Sequence, residues 1–165
     1  MTESEKRIKR VCFTGHRPEK LKASYAEVIL ALGVAIDEAI AEGFKTFISG
    51  MSRGTDIWAA EIVLARRATN SALRLICALP YPHFEEHWAA SWQARYHAIL
   101  QQADLVRTIS PSYSLASYQR RNEWMVDHSF LTLAVYNGEA GGTRNTIEYA
   151  KRQGIIVREI NFAKS

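Results

Sequence analysis

Cysteine is nearly absent from this chain: two in 165 residues, Cys12 and Cys77. Each lies inside an apolar run and the two share no metal-like spacing, so they read as buried thiols of a protein kept in a reducing compartment. A cytoplasmic location is expected. No apolar run approaches the roughly 20 residues that cross a bilayer, so no membrane span is expected, and Met1 to Arg10 is polar, without the apolar core of a signal peptide. The five histidines (16, 83, 87, 97 and 128) include one i, i+4 pair, His83 and His87, but no zinc signature bearing a glutamate accompanies it. No metal site is expected. A Ser-His-Asp or Cys-His constellation is also missing, so no catalytic residue is assigned. Internal repeats, low-complexity tracts and linkers are lacking too, which leaves one domain over residues 11–165 behind a basic segment, residues 1–10, that is expected to be flexible.

A large charge excess is also missing. The formal charge is +4 and the pI is near 9.2. Lys6, Arg7, Lys9 and Arg10 supply four of the 21 basic residues, and the rest of the chain carries 17 basic against 15 acidic ones. That balance suits a phosphate-bearing small molecule and argues only weakly for a polynucleotide groove.

What is present is an alternation of strand and helix. Apolar runs ending in Gly15, near Ile48, at Leu79 and near Ile109 are separated by segments of helical period. Tyr25, Val28, Ile29, Leu32, Ile36, Ala39 and Ile40 share one such face, which Gly43 ends. Trp88, Trp92, Tyr96 and Ile99 form a stripe on a later helix, at a spacing that suits the core or a contact with a second copy better than a base-stacking platform. A helix over 117–127 leads to a fifth strand from about Phe130, and a last helix from about Arg144 precedes a sixth strand over 155–160. Six strands divided by helices predict an α/β fold: a Rossmann-like, doubly wound, mostly parallel sheet with helices on both faces.

Three loops at strand carboxyl ends combine glycine with polar side chains. The first is Gly15-His16-Arg17-Pro18. The second is Ser49-Gly50-Met51-Ser52-Arg53-Gly54-Thr55-Asp56, which opens a helix. The third is Gly138-Glu139-Ala140-Gly141-Gly142-Thr143, which opens another. Free N–H groups and the helix dipole favour anions at such starts, and in an open parallel sheet the loops share the edge where ligands bind. Convergence of the three is expected to make a site. Arg17 and Arg53 offer guanidinium groups to phosphate. Asp56 either accepts from a ribose hydroxyl or simply faces the helix dipole. Gly141, Gly142 and Thr143 suit phosphate best, two glycines allowing close backbone approach and Thr143 able to cap the helix and donate. Arg121 points either to this edge or, with Arg120, to solvent. Tyr81 and His83 stand after the third strand, where they line the mouth of the site or merely end the strand.

With these loops placed, the chain resembles the SLOG superfamily, which joins the DNA-processing protein DprA to the LOG phosphoribohydrolases, and within it the YpsA-like proteins, marked by an early Gly-His-Arg-Pro such as Gly15 to Pro18. Ser49 to Asp56 is similar to the Ser-Gly-x-x-Arg-Gly-x-Asp loop of DprA, Arg121 to Ser129 to the segment before the fifth strand, and Gly141-Gly142-Thr143 to the phosphate loop of LOG enzymes. The resemblance implies a nucleotide or ADP-ribose-like ligand held by Gly15, His16, Arg17, Ser49, Gly50, Met51, Arg53, Gly54, Asp56, Arg121, Gly141, Gly142 and Thr143. The position of the LOG catalytic glutamate is Thr146 here, and Glu148, two residues on, is rotated by roughly 200° about the helix. The reading is therefore a non-catalytic sensor or adaptor. Its alternatives are a nucleoside monophosphate phosphoribohydrolase using another carboxylate, Asp56 or Glu123, and a single-stranded DNA binder of DprA type. A homo-oligomer is compatible with all three.

Overall fold

The computed structural model of the protein describes residues 1–162; of the domain expected over 11–165, residues 163–165 lie outside the described residues. Six strands form one parallel sheet: β1 (Arg10–Gly15), β2 (Thr46–Ser49), β3 (Arg74–Leu79), β4 (Leu105–Thr108), β5 (Leu131–Val135) and β6 (Ile156–Glu159). The helices are α1 (Glu3–Arg7), α2 (Tyr25–Ala41), α3 (Thr55–Arg67), α4 (Ala90–Gln102), α5 (Ser117–Asp127) and α6 (Gly142–Arg152). Strand order is β4-β3-β2-β1-β5-β6. The chain steps outward on one side of β1 for three strands and then returns to its other side, which gives the expected doubly wound, Rossmann-like architecture.

The central strands are apolar on both faces because helices cover both. On one face Val11 and Phe13 of β1, Phe47 of β2 and Leu75 of β3 meet Val28, Leu32 and Ile36 of α2, Ile57 of α3 and Tyr96 of α4. On the other, Cys12, Ile48, Ile76 and Ala78 meet Met125 and Val126 of α5 and Ala150 of α6. Each fully buried Phe or Leu in these layers contributes about 1.5–3 kcal/mol of transfer free energy. The i, i+4 spacing of Val28, Leu32 and Ile36 gives α2 its buried stripe, and Gly43 at φ +100° ends it, with the Phe44 N–H returning to the Ala39 carbonyl at 3.1 Å.

Some boundaries differ from the sequence expectation. Helix α4 begins at Ala90, so Trp88 lies in the preceding turn. The aromatic stripe still packs inward: Trp92 lies 6.2 Å from Trp58 of α3, and Trp88 sits 5.2 Å from Phe84 and 5.6 Å from Tyr96. Strand β4 is an edge strand, exposed along its length. The basic first segment carries α1, whose capping box joins Thr2 and Glu5, but which buries no residue. Arg7 Nε donates to the Ser129 carbonyl at 3.1 Å, so α1 lies at the amino edge of the sheet, before β5 begins. No described helix is long and apolar enough to cross a membrane.

Candidate functional site

Strand order reverses between β1 and β5, so the loops leaving these two strands diverge to opposite faces and leave a crevice. A cavity of about 230 Å³ opens there. Its walls come from the end of β1, the start of α3, one face of α5 and the start of α6.

The β1 loop is fixed from both sides. The His16 N–H donates to the Val135 carbonyl of β5 at 3.3 Å, and Thr55 Oγ1 of α3 donates to the His16 carbonyl at 3.3 Å. Gly15 packs so tightly on Thr55 that a Cβ there would stand 2.3 Å from Oγ1. Gly15, His16, Arg17 and Lys20 all line the cavity. Asn137, after β5, donates from its side chain to the Lys20 carbonyl at 3.0 Å and so ties the first loop to the third.

The Ser49–Asp56 loop is mostly a support. Ser49 Oγ donates to the Asp56 carbonyl at 2.8 Å and accepts from the Met51 N–H at 3.2 Å. Met51, at φ 63°, is fully buried in the core. Gly50 packs on the Arg121 guanidinium and Gly54 on Pro18. Arg53 pairs with Glu19 outside the cavity. Ser52 and Asp56 are the residues of this loop that line it.

Asp56 is 7% exposed, and its Oδ2 accepts from the Ser52 N–H at 3.2 Å. Burial pushes its carboxyl up to about 6, although Arg121, the Ser52 amide and Arg17 pull the other way. Arg121 faces inward from α5, unlike exposed Arg120, and is 3% exposed. It donates to the Gly50 carbonyl, to the Ala78 carbonyl at 3.4 Å, to Asn122 Oδ1 at 2.8 Å and to Ser52 Oγ at 3.3 Å. Burial lowers its pKa, and Asp56 opposes that shift. This guanidinium therefore holds the second loop, the end of β3 and α5 together beneath the cavity.

Helix α6 supplies the open end. Its N-cap is Gly141, at φ 146°, with no side-chain cap and no acidic residue in the first turn. Gly142 and Thr143 line the cavity and Gly141 does not. Thr143 sits inside the helix rather than at its cap, because the helix starts two residues before the expected Arg144. Thr146 is buried, its Oγ1 donating to the Gly142 carbonyl at 2.8 Å, and Glu148 pairs with Arg144 at 3.4 Å on the outer face. Glu123 accepts from Gln119 at 3.0 Å away from the cavity. Asp56 is thus the single carboxylate among the described lining residues, beside the cations Arg17, Lys20 and Arg121 that line the same cavity.

Seven of the residues expected at the site line one cavity: Gly15, His16, Arg17, Asp56, Arg121, Gly142 and Thr143. Ser49, Gly50, Met51, Arg53, Gly54 and Gly141 stand behind or beside it. Sequence reasoning missed Phe13, Thr14, Lys20, Ser52, Tyr118 and Asn122 as lining residues. Tyr118 is three residues before Arg121, on the same helix face, so an inward Arg121 carries Tyr118 with it. Tyr81 belongs to a tyrosine cluster behind the wall, its hydroxyl 3.3 Å from that of Tyr118, and His83 is exposed. A larger groove of about 700 Å³ runs along the flank of α2 beside β6, lined by Leu30, Val34 and Phe162. No glycine-rich loop reaches it. Among the described residues no cluster of three or more His, Cys, Asp or Glu is placed to hold a metal ion.

The fold and this crevice define a Rossmann-like α/β protein with its loops gathered at a switch point. The family model of YpsA, described as the YspA SLOG family, matches residues 11–162, and the chain belongs to that family. It is 32% identical over 130 residues to the SPbeta prophage-derived protein YoqJ of Bacillus subtilis, an alignment covering 71% of this chain and 76% of that protein. It is 29% identical over 136 residues to a UPF0398 protein of Halalkalibacterium halodurans, covering 81% of this chain and 68% of the relative. Among solved structures it is similar to DNA processing protein A of Helicobacter pylori, described for its single-stranded DNA binding mode. The TM-score is 0.64 at 16% identity, covering 99% of this chain and 70% of that one, a likeness of fold.

Proposed function

We propose that the protein binds a nucleotide or nucleotide-derived, ADP-ribose-like small molecule at the carboxyl edge of the sheet and serves as a non-catalytic sensor or adaptor. The observation that carries this reading is the meeting of Arg17, Lys20 and the uncapped start of α6 around one small cavity at the switch point. Oriented amides and cations on a rigid sheet edge suit phosphate, and a volume of about 230 Å³ suits the sugar-phosphate part of such a ligand, with the remainder lying outside the cavity. Differential scanning fluorimetry with mono- and dinucleotides and ADP-ribose tests it. A ligand at about 100 times its Kd adds about 2.7 kcal/mol of stability. Absence of any shift at millimolar concentration defeats the reading.

The absence of catalysis is supported by Thr146, buried where a LOG enzyme has its glutamate, and by Glu148, engaged on the outer face. One observation favours a second reading, a nucleoside monophosphate phosphoribohydrolase. Asp56, raised to about 6, has the pKa of a serviceable general acid or base near neutrality. Incubation with nucleoside monophosphates, followed by chromatography for free base, separates the two. No base is expected, whereas turnover that Asp56→Asn abolishes would establish the enzyme. Single-stranded DNA, the ligand of the Helicobacter neighbour, ranks third. The excess basic residues lie at the amino edge with α1, across the sheet from the cavity.

A further inference from the structure

We infer that the cavity reads the sugar hydroxyls of its ligand through His16 and Asp56, and so selects ribose over deoxyribose. The inference rests on the nucleotide reading above and specifies which nucleotides the site accepts.

The polar groups of the cavity fall into two sets. Arg17, Lys20 and the first amides of α6 are positive or partly positive and suit phosphate oxygens, which only accept. His16 and Asp56 do not belong with them. His16 is 3% exposed, lies in the cavity wall, and its Nε2 has no hydrogen-bond partner among the described residues. Burial lowers its pKa, with the Asn137 side chain acting in the opposite sense, and so favours the neutral ring. A neutral ring is no counter-ion for phosphate, yet a buried polar atom left unpaired is destabilising and calls for a partner. A hydroxyl satisfies that nitrogen in either tautomer, because it both donates and accepts.

Asp56 asks for the same chemistry. Above pH 6 its carboxylate repels phosphate and can only accept, and Ser52 supplies its one side-chain hydrogen bond among the described residues. The two side chains stand on neighbouring elements locked together by the bond from Thr55 Oγ1 to the His16 carbonyl. Two hydroxyl-seeking groups beside a phosphate-seeking set match the vicinal diol and phosphate of a ribonucleotide. A 2′-deoxy sugar leaves one of the two unpaired, and sites built to hydrogen-bond a hydroxyl reject analogues lacking it.

The test is isothermal titration calorimetry of each ribonucleoside 5′-monophosphate against its 2′-deoxy counterpart, together with ribose 5-phosphate, on the wild-type full chain. At least tenfold tighter binding of the ribo form is expected. His16→Gln and Asp56→Asn, each checked for an unaltered circular dichroism spectrum, should bring that ratio towards one by weakening the ribo form. Equal affinities for the ribo and deoxy forms in the wild type overturn this inference and leave the nucleotide reading standing. A ribo preference that persists unchanged in both variants also overturns it, because other groups then read the sugar. Failure of every one of these ligands, and of ADP-ribose and dinucleotides titrated beside them, to bind overturns both.

Discussion

At the scale of single residues, the chemistry turns on ionisable groups the fold has taken out of water. Asp56 titrates near 6 in the folded chain against an ordinary 3.8. Between those values the folded state keeps a proton that the unfolded state has lost, so stability falls as pH rises from about 4 to about 6 and is level above. Asp56→Asn removes the effect while its amide oxygen still accepts from Ser52. The stability of the variant relative to wild type should therefore be more favourable at pH 7 than at pH 4, by about 1–3 kcal/mol, read from urea midpoints. A relative stability that does not change between the two pH values contradicts the assignment. A carboxylate that reduces stability at neutral pH is a familiar mark of a group used for binding or chemistry. This scale was also the least legible in the sequence. Arg120 and Arg121 look alike in the chain, and only the docking of α5 decides which one is buried. Ser49 and Arg53 carry groups suited to a ligand, but one is bonded to the backbone of its own loop and the other is paired with Glu19.

At the scale of elements, the loops are rigid because they touch one another. Gly54, at φ 88°, approaches Pro18 so closely that a Cβ would stand 2.8 Å from its Cδ and 3.1 Å from the His16 carbonyl oxygen. Gly138 has a similar φ of 93° with no atom of the described residues within 4 Å of the added one. Gly138→Ala should cost about 1 kcal/mol, from backbone conformation alone. Gly54→Ala should cost about 2–4 kcal/mol, since it also pushes the first loop from the second. Thermal denaturation of the two variants measures the difference, and equal losses would show that the contact contributes nothing. The elements themselves were readable, because hydrophobic period and glycine stops are local signals, and so was the gathering of the three loops at one edge. The starts of α4 and α6 were not. Ala89 and Gly141 cap them without a side-chain bond, so neither position carries a sequence signature.

At the scale of the whole molecule, charge and site are on opposite edges. The basic excess of residues 1–10 is carried by or next to α1, which buries nothing and is held by Arg7 to the Ser129 carbonyl and by Arg10 to Glu3. Deleting residues 1–8 should therefore change stability by less than about 1 kcal/mol. Any affinity for oligonucleotides should be weak, fall steeply with salt and be largely lost on deleting residues 1–10, whose four basic residues outnumber two acidic ones, while the nucleotide affinity proposed above is retained. Fluorescence anisotropy across a salt series checks this. Tight oligonucleotide binding that survives the deletion but fails on Arg17→Ala would put the polymer in the cavity.

The strand order has a consequence for how the protein comes into being. β1 is among the first elements to be synthesised, but one of its two neighbours, β5, lies about 120 residues further along the chain. Until β5 and the start of α6 have emerged from the ribosome, a nascent chain can pair β1 with β2 and still have no crevice. A ligand that binds there recognises only a chain that has reached α6, and shorter products do not share its stabilisation.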